Sequence, residues 1–192
     1  MTRTLPIVVA LVMLAASLSQ AAEPAYRELQ FTAALTGVRP PGAADTYVGS
    51  GGGICADLGM TVTPRLTAGI HFGLAQLNRK TEGVGALTDR PAKGDWWRYE
   101  GDAFVECRLT SQRFAPIVGG GIGVHAMHIN YSAPFNGAVG AGSYGVGFDL
   151  MAGCQYRGSS HLGMVARIGA GHSQRISDGW FTQAQLGVRL FF

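Results

Sequence analysis

Side-chain character alternates with a period of two along most of this chain, from Glu28 to the final Phe192. That period belongs to β-strands, whose successive side chains point to opposite faces. Between Trp96 and Leu109 the odd positions Trp97, Tyr99, Gly101, Ala103, Val105, Cys107 and Leu109 are apolar or small, while the even positions carry Arg98, Glu100, Asp102, Glu106 and Arg108. One face of this segment suits oil and the other carries formal charge. The last stretch is the clearest. Trp180, Thr182, Ala184, Leu186, Val188, Leu190 and Phe192 share one face; Phe181, Gln183, Gln185, Gly187 and Arg189 share the other.

The same reading predicts eight strands, at 28–38, 46–62, 65–78, 95–109, 114–130, 143–156, 161–173 and 179–192. Short turns fall near Thr63-Pro64, Thr110 to Arg113 and Arg157 to Ser160. Longer segments fall at Arg39 to Asp45, Arg79 to Lys93, Ser132 to Gly142 and Gln174 to Asp178. Short and long connections in alternation predict an all-β, antiparallel, up-and-down barrel with both termini on the short-turn side.

Composition excludes other classes. Only 14% of residues are charged and the net charge is +3, which argues against a disordered chain and against nucleic-acid binding. The 29 glycines show no period of three, so collagen is excluded. The single long apolar run is N-terminal: Arg3 precedes an apolar core from Leu5 to Leu18, and Ser19-Gln20-Ala21 carries small residues where a signal peptidase reads. Residues 1–21 are therefore expected to form a cleaved signal peptide and residues 22–192 the barrel domain. Cys55, Cys107 and Cys154 are odd in number and widely spaced, so neither a disulfide framework nor a metal site is expected from them.

Eight alternating strands fit a soluble barrel with its apolar face inside or a transmembrane barrel with that face outside. The polar face decides. It is rich in glycine, threonine and glutamine with charges of both signs, which suits the crowded interior of a small barrel. The apolar face carries Tyr47, Trp97, Tyr99, Tyr144 and Trp180 near the long loops, and Tyr156 and Phe192 near the other end, like two interfacial girdles. A one-residue register slip would turn the charges of the fourth strand toward lipid. Basic residues cost about 2–4 kcal/mol each at the bilayer midplane, so the register is strongly determined. The expected fold is an eight-stranded transmembrane β-barrel.

Phe192, preceded by apolar residues at every second position back to Leu186, looks like the C-terminal signal read by the barrel-assembly machinery. Signal peptide, strand pattern and terminal aromatic together resemble the small outer-membrane barrels of Gram-negative bacteria, of the OmpA transmembrane-domain and OmpX/Ail type. The resemblance implies an outer-membrane location and contact with lipopolysaccharide. It also implies loop roles in adhesion, serum resistance or host contact. Since the sequence ends at Phe192, the peptidoglycan-binding domain of full OmpA proteins is expected to be absent.

The interior of such a barrel is just large enough for side chains to fill. It is expected to hold Glu28, Asp57, Glu100, Asp102, Glu106 and Asp149 against Arg98, Arg108, Arg167 and Arg189, with His71 and His125, as a salt-bridged plug. Asp149 and Arg167 are expected to face each other across a hairpin centred near Ser159. An ion-conducting path is the less favoured reading, because a filled lumen leaves little water. In the longest outward loop Arg79, Lys80, Arg90 and Lys93 form a basic cluster suited to lipopolysaccharide phosphates; Glu82, Asp89 and Asp95 leave its net charge small, which also fits an ordinary solvated loop. The segment Arg167 to Ser173, with Asp178, is similar to the late segment of PagL-type lipid A deacylases. That family's His and Ser stand two apart, whereas His172 and Ser173 are adjacent and point to opposite faces. His125 and His128 likewise fall on opposite faces. The expected protein is non-enzymatic and needs no cofactor.

Overall fold

The structure, a computed structural model, describes residues 27–39, 48–79, 93–132, 140–174 and 180–192. They form the strands β1 (Leu29–Arg39), β2 (Val48–Thr63), β3 (Leu66–Arg79), β4 (Lys93–Arg108), β5 (Phe114–Ser132), β6 (Gly140–Arg157), β7 (Leu162–Ser173) and β8 (Trp180–Phe191). Each strand pairs antiparallel with its sequence neighbours, and β1 also pairs with β8, closing the barrel. The alternating segments read from the sequence coincide with these strands. The expected signal segment 1–21 and the girdle residue Tyr47 lie outside the described residues.

The seam between the two ends of the chain is ordinary ladder. Thr32 lies opposite Asp57 on one side and opposite Arg189 on the other, and Ala33 likewise lies between Ala56 and Val188. Leu29 and Phe192 exchange backbone hydrogen bonds of 3.2 and 2.9 Å, so the terminal phenylalanine completes the last rung. Closure satisfies backbone groups that would otherwise stand unpaired in hydrocarbon.

The short turns are held by side chains. Thr63 Oγ1 accepts from the backbone amides of Arg65 (3.4 Å) and Leu66 (3.1 Å). In the β6–β7 turn, Ser159 Oγ accepts from the amides of His161 (3.3 Å) and Leu162 (3.1 Å). This second turn corrects the expected hairpin centre. Arg157 remains in β6 opposite Gly163, which puts Ser160 at the centre of the hairpin. Asp149 consequently faces Gly171, and Arg167 faces Gly153, so the expected Asp149–Arg167 pair does not form. The serine-capped turn keeps Arg157 within the ladder, and this moves every later cross-strand pairing.

Sidedness is inverted relative to a water-soluble domain. Leu35 and Ile168 are 69% exposed and Leu150 is 63% exposed, whereas Asp57, Arg167 and Arg189 are at most 4% exposed. Leu58, Ile70, Phe72, Ile122, Val146 and Leu186 join the outward face. A continuous apolar exterior of this kind is stable only against acyl chains. Tyr99, Tyr144 and Trp180 are exposed toward the long-loop end, and Phe114, Tyr156 and Phe192 toward the short-turn end.

Replacing Leu150, central on the outward face of β6, with arginine is expected to lower stability by about 2–4 kcal/mol in lipid vesicles. Urea titration of the folded protein measures it. An unchanged midpoint would place this face in water.

Candidate functional site

All eight strands send polar side chains into the lumen, and the pleat makes this automatic once the register is set. Thr32 comes from β1, Asp57 from β2 and His71 from β3. Arg98, Glu100, Asp102 and Glu106 come from β4, His125 from β5, Asp149 and Gln155 from β6, Arg167 from β7, and Arg189 from β8. Arg189 is the largest fully buried side chain among the described residues. A buried guanidinium persists only with hydrogen-bond partners, and each of the three nitrogens of Arg189 has one.

Glu106 is the hub of the half of the lumen nearer the short turns. Its carboxylate accepts from Arg189 Nη1 at 2.5 Å and Nη2 at 3.1 Å, and from Arg167 Nη2 at 2.6 Å. Arg189 also donates to Thr32 Oγ1 (2.9 Å) and Gln155 Oε1 (2.5 Å). Arg167 Nη1 donates to Asp57 Oδ2 at 2.6 Å. The chain of contacts then passes from Asp57 Oδ1 to His71 Nδ1 (2.5 Å), from His71 Nε2 to Glu100 Oε1 (3.1 Å), and from Glu100 Oε2 to Arg98 Nη2 (2.6 Å). Seven charged or ionisable groups thus form one connected path from β8 to the far end of β4.

Both ends of this path are closed by aromatic rings. The Arg98 guanidinium lies 3.6 Å from the centre of the Phe181 ring, a cation–π contact, and His125 meets the same ring edge-on at 5.6 Å. Beyond them Val38, Ala75 and Leu77 form a buried apolar cluster against Trp96 and Met127. At the opposite end Arg157 lies 4.1 Å over the Phe191 ring and bonds Glu28 at 2.5 Å. Close packing also requires missing side chains. A Cβ on Gly147 would sit 2.3 Å from His125 Nδ1, so only glycine leaves room for that imidazole.

Asp57, Arg98, Glu100, Asp102, Glu106, Asp149, Arg167 and Arg189 all lie buried in the lumen. Glu28 and Arg108 sit at the short-turn mouth instead. Glu28 is held by Arg157, and Arg108 Nη2 donates to the Pro64 carbonyl at 2.6 Å. The partner that sequence reading missed is Arg157, whose place at the edge of a turn hid its inward direction. Phe181 and Phe191 cap the path, and Phe181 was legible as an inward residue because it shares the Gln183–Arg189 face.

Arg79 ends β3 and Lys93 begins β4, which puts both at the long-loop end; Lys80 and Arg90 lie outside the described residues. His172 and Ser173 diverge as their adjacency demands. The His172 ring packs outside against Trp180 (5.2 Å) and Phe148 (5.9 Å), while Ser173 is buried on the inner face.

The network sets unequal costs for similar substitutions. Glu106→Gln removes the charge facing two buried arginines and is expected to cost about 3–5 kcal/mol. Glu28→Gln, at the mouth, is expected to cost no more than about 1 kcal/mol. Urea titrations of the two variants in vesicles compare them directly; equal effects would mean that the lumen is wet.

Among curated proteins no significant match is found. Solved structures do share the architecture. Neisserial surface protein A superposes with a TM-score of 0.61 at 13% identity, covering 86% of this chain and 96% of that one. Ail, the attachment invasion locus protein of Yersinia pestis, gives 0.58 at 14% identity, covering 88% of this chain and 100% of its own. The barrel domain of Pseudomonas aeruginosa OprF gives 0.52 at 15% identity, covering 87% and 98%. Residues 7–192 match the outer membrane protein beta-barrel domain, and the chain belongs to that family of outer-membrane barrels.

Proposed function

We propose that this protein is a non-enzymatic surface component of the outer membrane, a rigid barrel that presents its outward loops to lipopolysaccharide and to external ligands. The observation that carries this reading is the filled lumen. Ion pairs occupy its length, the Phe181 and Leu77 layers close one end, and the Arg157–Phe191 contact closes the other. With the interior taken up by structure, recognition falls to the outside.

Charge placement in the sequence supports the segment between β3 and β4. Arg79 and Lys93 flank it, and Lys80 and Arg90 add two more basic residues. Guanidinium and ammonium groups suit the phosphates of lipopolysaccharide and other dense polyanions. The Ail barrel, which shares this fold at 15% identity, has been crystallised with the heparin analogue sucrose octasulfate. A polyanion is the ligand class that this loop's chemistry fits. Signal-peptide cleavage after Ala21 and delivery by the barrel-assembly machinery complete the proposal. Phe192, exposed at the end of the closing rung, is the residue offered to that machinery.

Two measurements test it. Deleting residues 80–93 is expected to leave heat-modifiable gel migration, and hence barrel assembly, intact while weakening binding to lipopolysaccharide-coated surfaces. Undiminished binding would remove this loop from the proposal. Lipid A from cells producing the protein is expected to keep all its acyl chains by mass spectrometry, with Ser173→Ala making no difference. Loss of an acyl chain that depends on Ser173 would establish the deacylase instead.

A further inference from the structure

Five carboxylates are buried in the barrel, those of Asp57, Glu100, Asp102, Glu106 and Asp149, against the guanidiniums of Arg98, Arg167 and Arg189. The three guanidiniums leave two of these charges to other groups, and the buried imidazoles of His71 and His125 face them, His71 at Asp57 and Glu100 and His125 at Asp102. The surplus is localised. Arg167 and Arg189 are engaged by Asp57 and Glu106. Glu100, Asp102 and Asp149 are left with Arg98, which pairs with Glu100.

Around this surplus the side chains stand like ligands. His71, Glu100 and Asp102, all buried, each offer one donor atom, and these atoms lie within 4.8 Å of one another. The 3.1 Å between His71 Nε2 and Glu100 Oε1 is the spacing of two neighbouring ligands on a cation held at about 2.1 Å. The other imidazole nitrogen, Nδ1, faces Asp57 Oδ1 at 2.5 Å. A carboxylate behind the second nitrogen is what orients a metal-binding histidine. The acidic donors are oriented too: Arg98 holds Glu100 Oε2 at 2.6 Å, and His125 Nε2 lies 3.0 Å from Asp102 Oδ1.

Asp149 adds an independent observation. It is 5% exposed, and its Oδ2 has no hydrogen-bond partner. Asp149 and Asp102 both border the space over Gly121. A side-chain carbon at Gly121 would lie 2.6 Å from Asp149 Oδ1 and 3.2 Å from Asp102 Cβ, so the missing side chain leaves room for both aspartates. An unpartnered buried carboxylate oxygen beside a second acid is unfavourable by itself. A cation held nearby lowers that penalty.

We propose that the lumen binds one divalent transition-metal cation of the Zn²⁺ or Mn²⁺ class, through His71 Nε2, Glu100 Oε1 and Asp102, with the Asp149 carboxylate as a neighbouring negative charge. The imidazole nitrogen selects against Ca²⁺ and Mg²⁺, which take oxygen ligands. One such ion brings two positive charges to this group of acids and ties β3 to β4. Because Phe181 and the Leu77 cluster close the lumen on that side, the ion enters as the barrel folds. This site is independent of the proposed surface role.

The test folds the full chain from urea into detergent micelles with Zn²⁺ or Mn²⁺ present, followed by passage over a chelating resin and metal analysis by mass spectrometry. Wild-type protein is expected to retain about one ion per chain. Asp102→Asn combined with Asp149→Asn is expected to retain at least roughly tenfold less while still showing the gel shift of a folded barrel. In the Mn²⁺ sample, electron paramagnetic resonance is expected to show coupling to an imidazole nitrogen that disappears in His71→Gln. If the double variant fails to fold, the wild-type metal content and that coupling still decide. A wild-type barrel that emerges metal-free, or equal retention by the folded double variant, or coupling that survives His71→Gln, would overturn the proposal. A metal-free wild type would leave the contacts of His71 and His125 as the compensation.

Discussion

Hydrocarbon offers a backbone amide no hydrogen-bond partner, and the whole architecture answers that constraint. An open sheet would leave two edges of unpaired N–H and C=O groups in the bilayer. Here β1 pairs with both β2 and β8, and no edge remains. Closure in turn forces each strand to present one face to acyl chains and the other to a narrow interior. The inversion of polarity, with Leu35 and Ile168 outside and Arg167 and Arg189 inside, is a consequence of that geometry.

The interior then meets a second constraint, because charges taken from water must satisfy one another. Glu106 does so for two arginines at once, and Asp57 continues the path through His71 to Glu100. Such a network contributes less to stability than a well-packed apolar core would. It does make register slippage costly, since a shift by one residue would carry Arg98, Glu100, Asp102 and Glu106 together to the lipid side. Glycines at Gly121 and Gly147 give these side chains room inside a barrel of this width.

A lumen filled in this way underlies the proposal that recognition falls to the loops, and other barrels share the same shape. Neisserial surface protein A and Ail share the barrel at 13–14% identity, so the scaffold tolerates nearly complete replacement of its residues. What the scaffold demands is alternation and closure, which many sequences supply. Function on such a fold resides in sites placed upon it.

The alternation of residue types by itself determined the strands, their number, their sidedness and the identity of nearly all the lumen charges. Periodicity is a local property, and a strand's two faces follow from it without any partner. Pairing across the barrel was another matter. Which arginine meets which acid depends on the register of non-adjacent strands, and a turn capped by Ser159 was enough to separate Asp149 from Arg167. Only the closed structure brings Asp57 of β2 to Arg167 of β7, 110 residues apart, or leaves Asp149 beside the space over Gly121 with an unpartnered oxygen. Contacts across a lumen are set by the three-dimensional closure of the sheet, and no spacing along one strand encodes them.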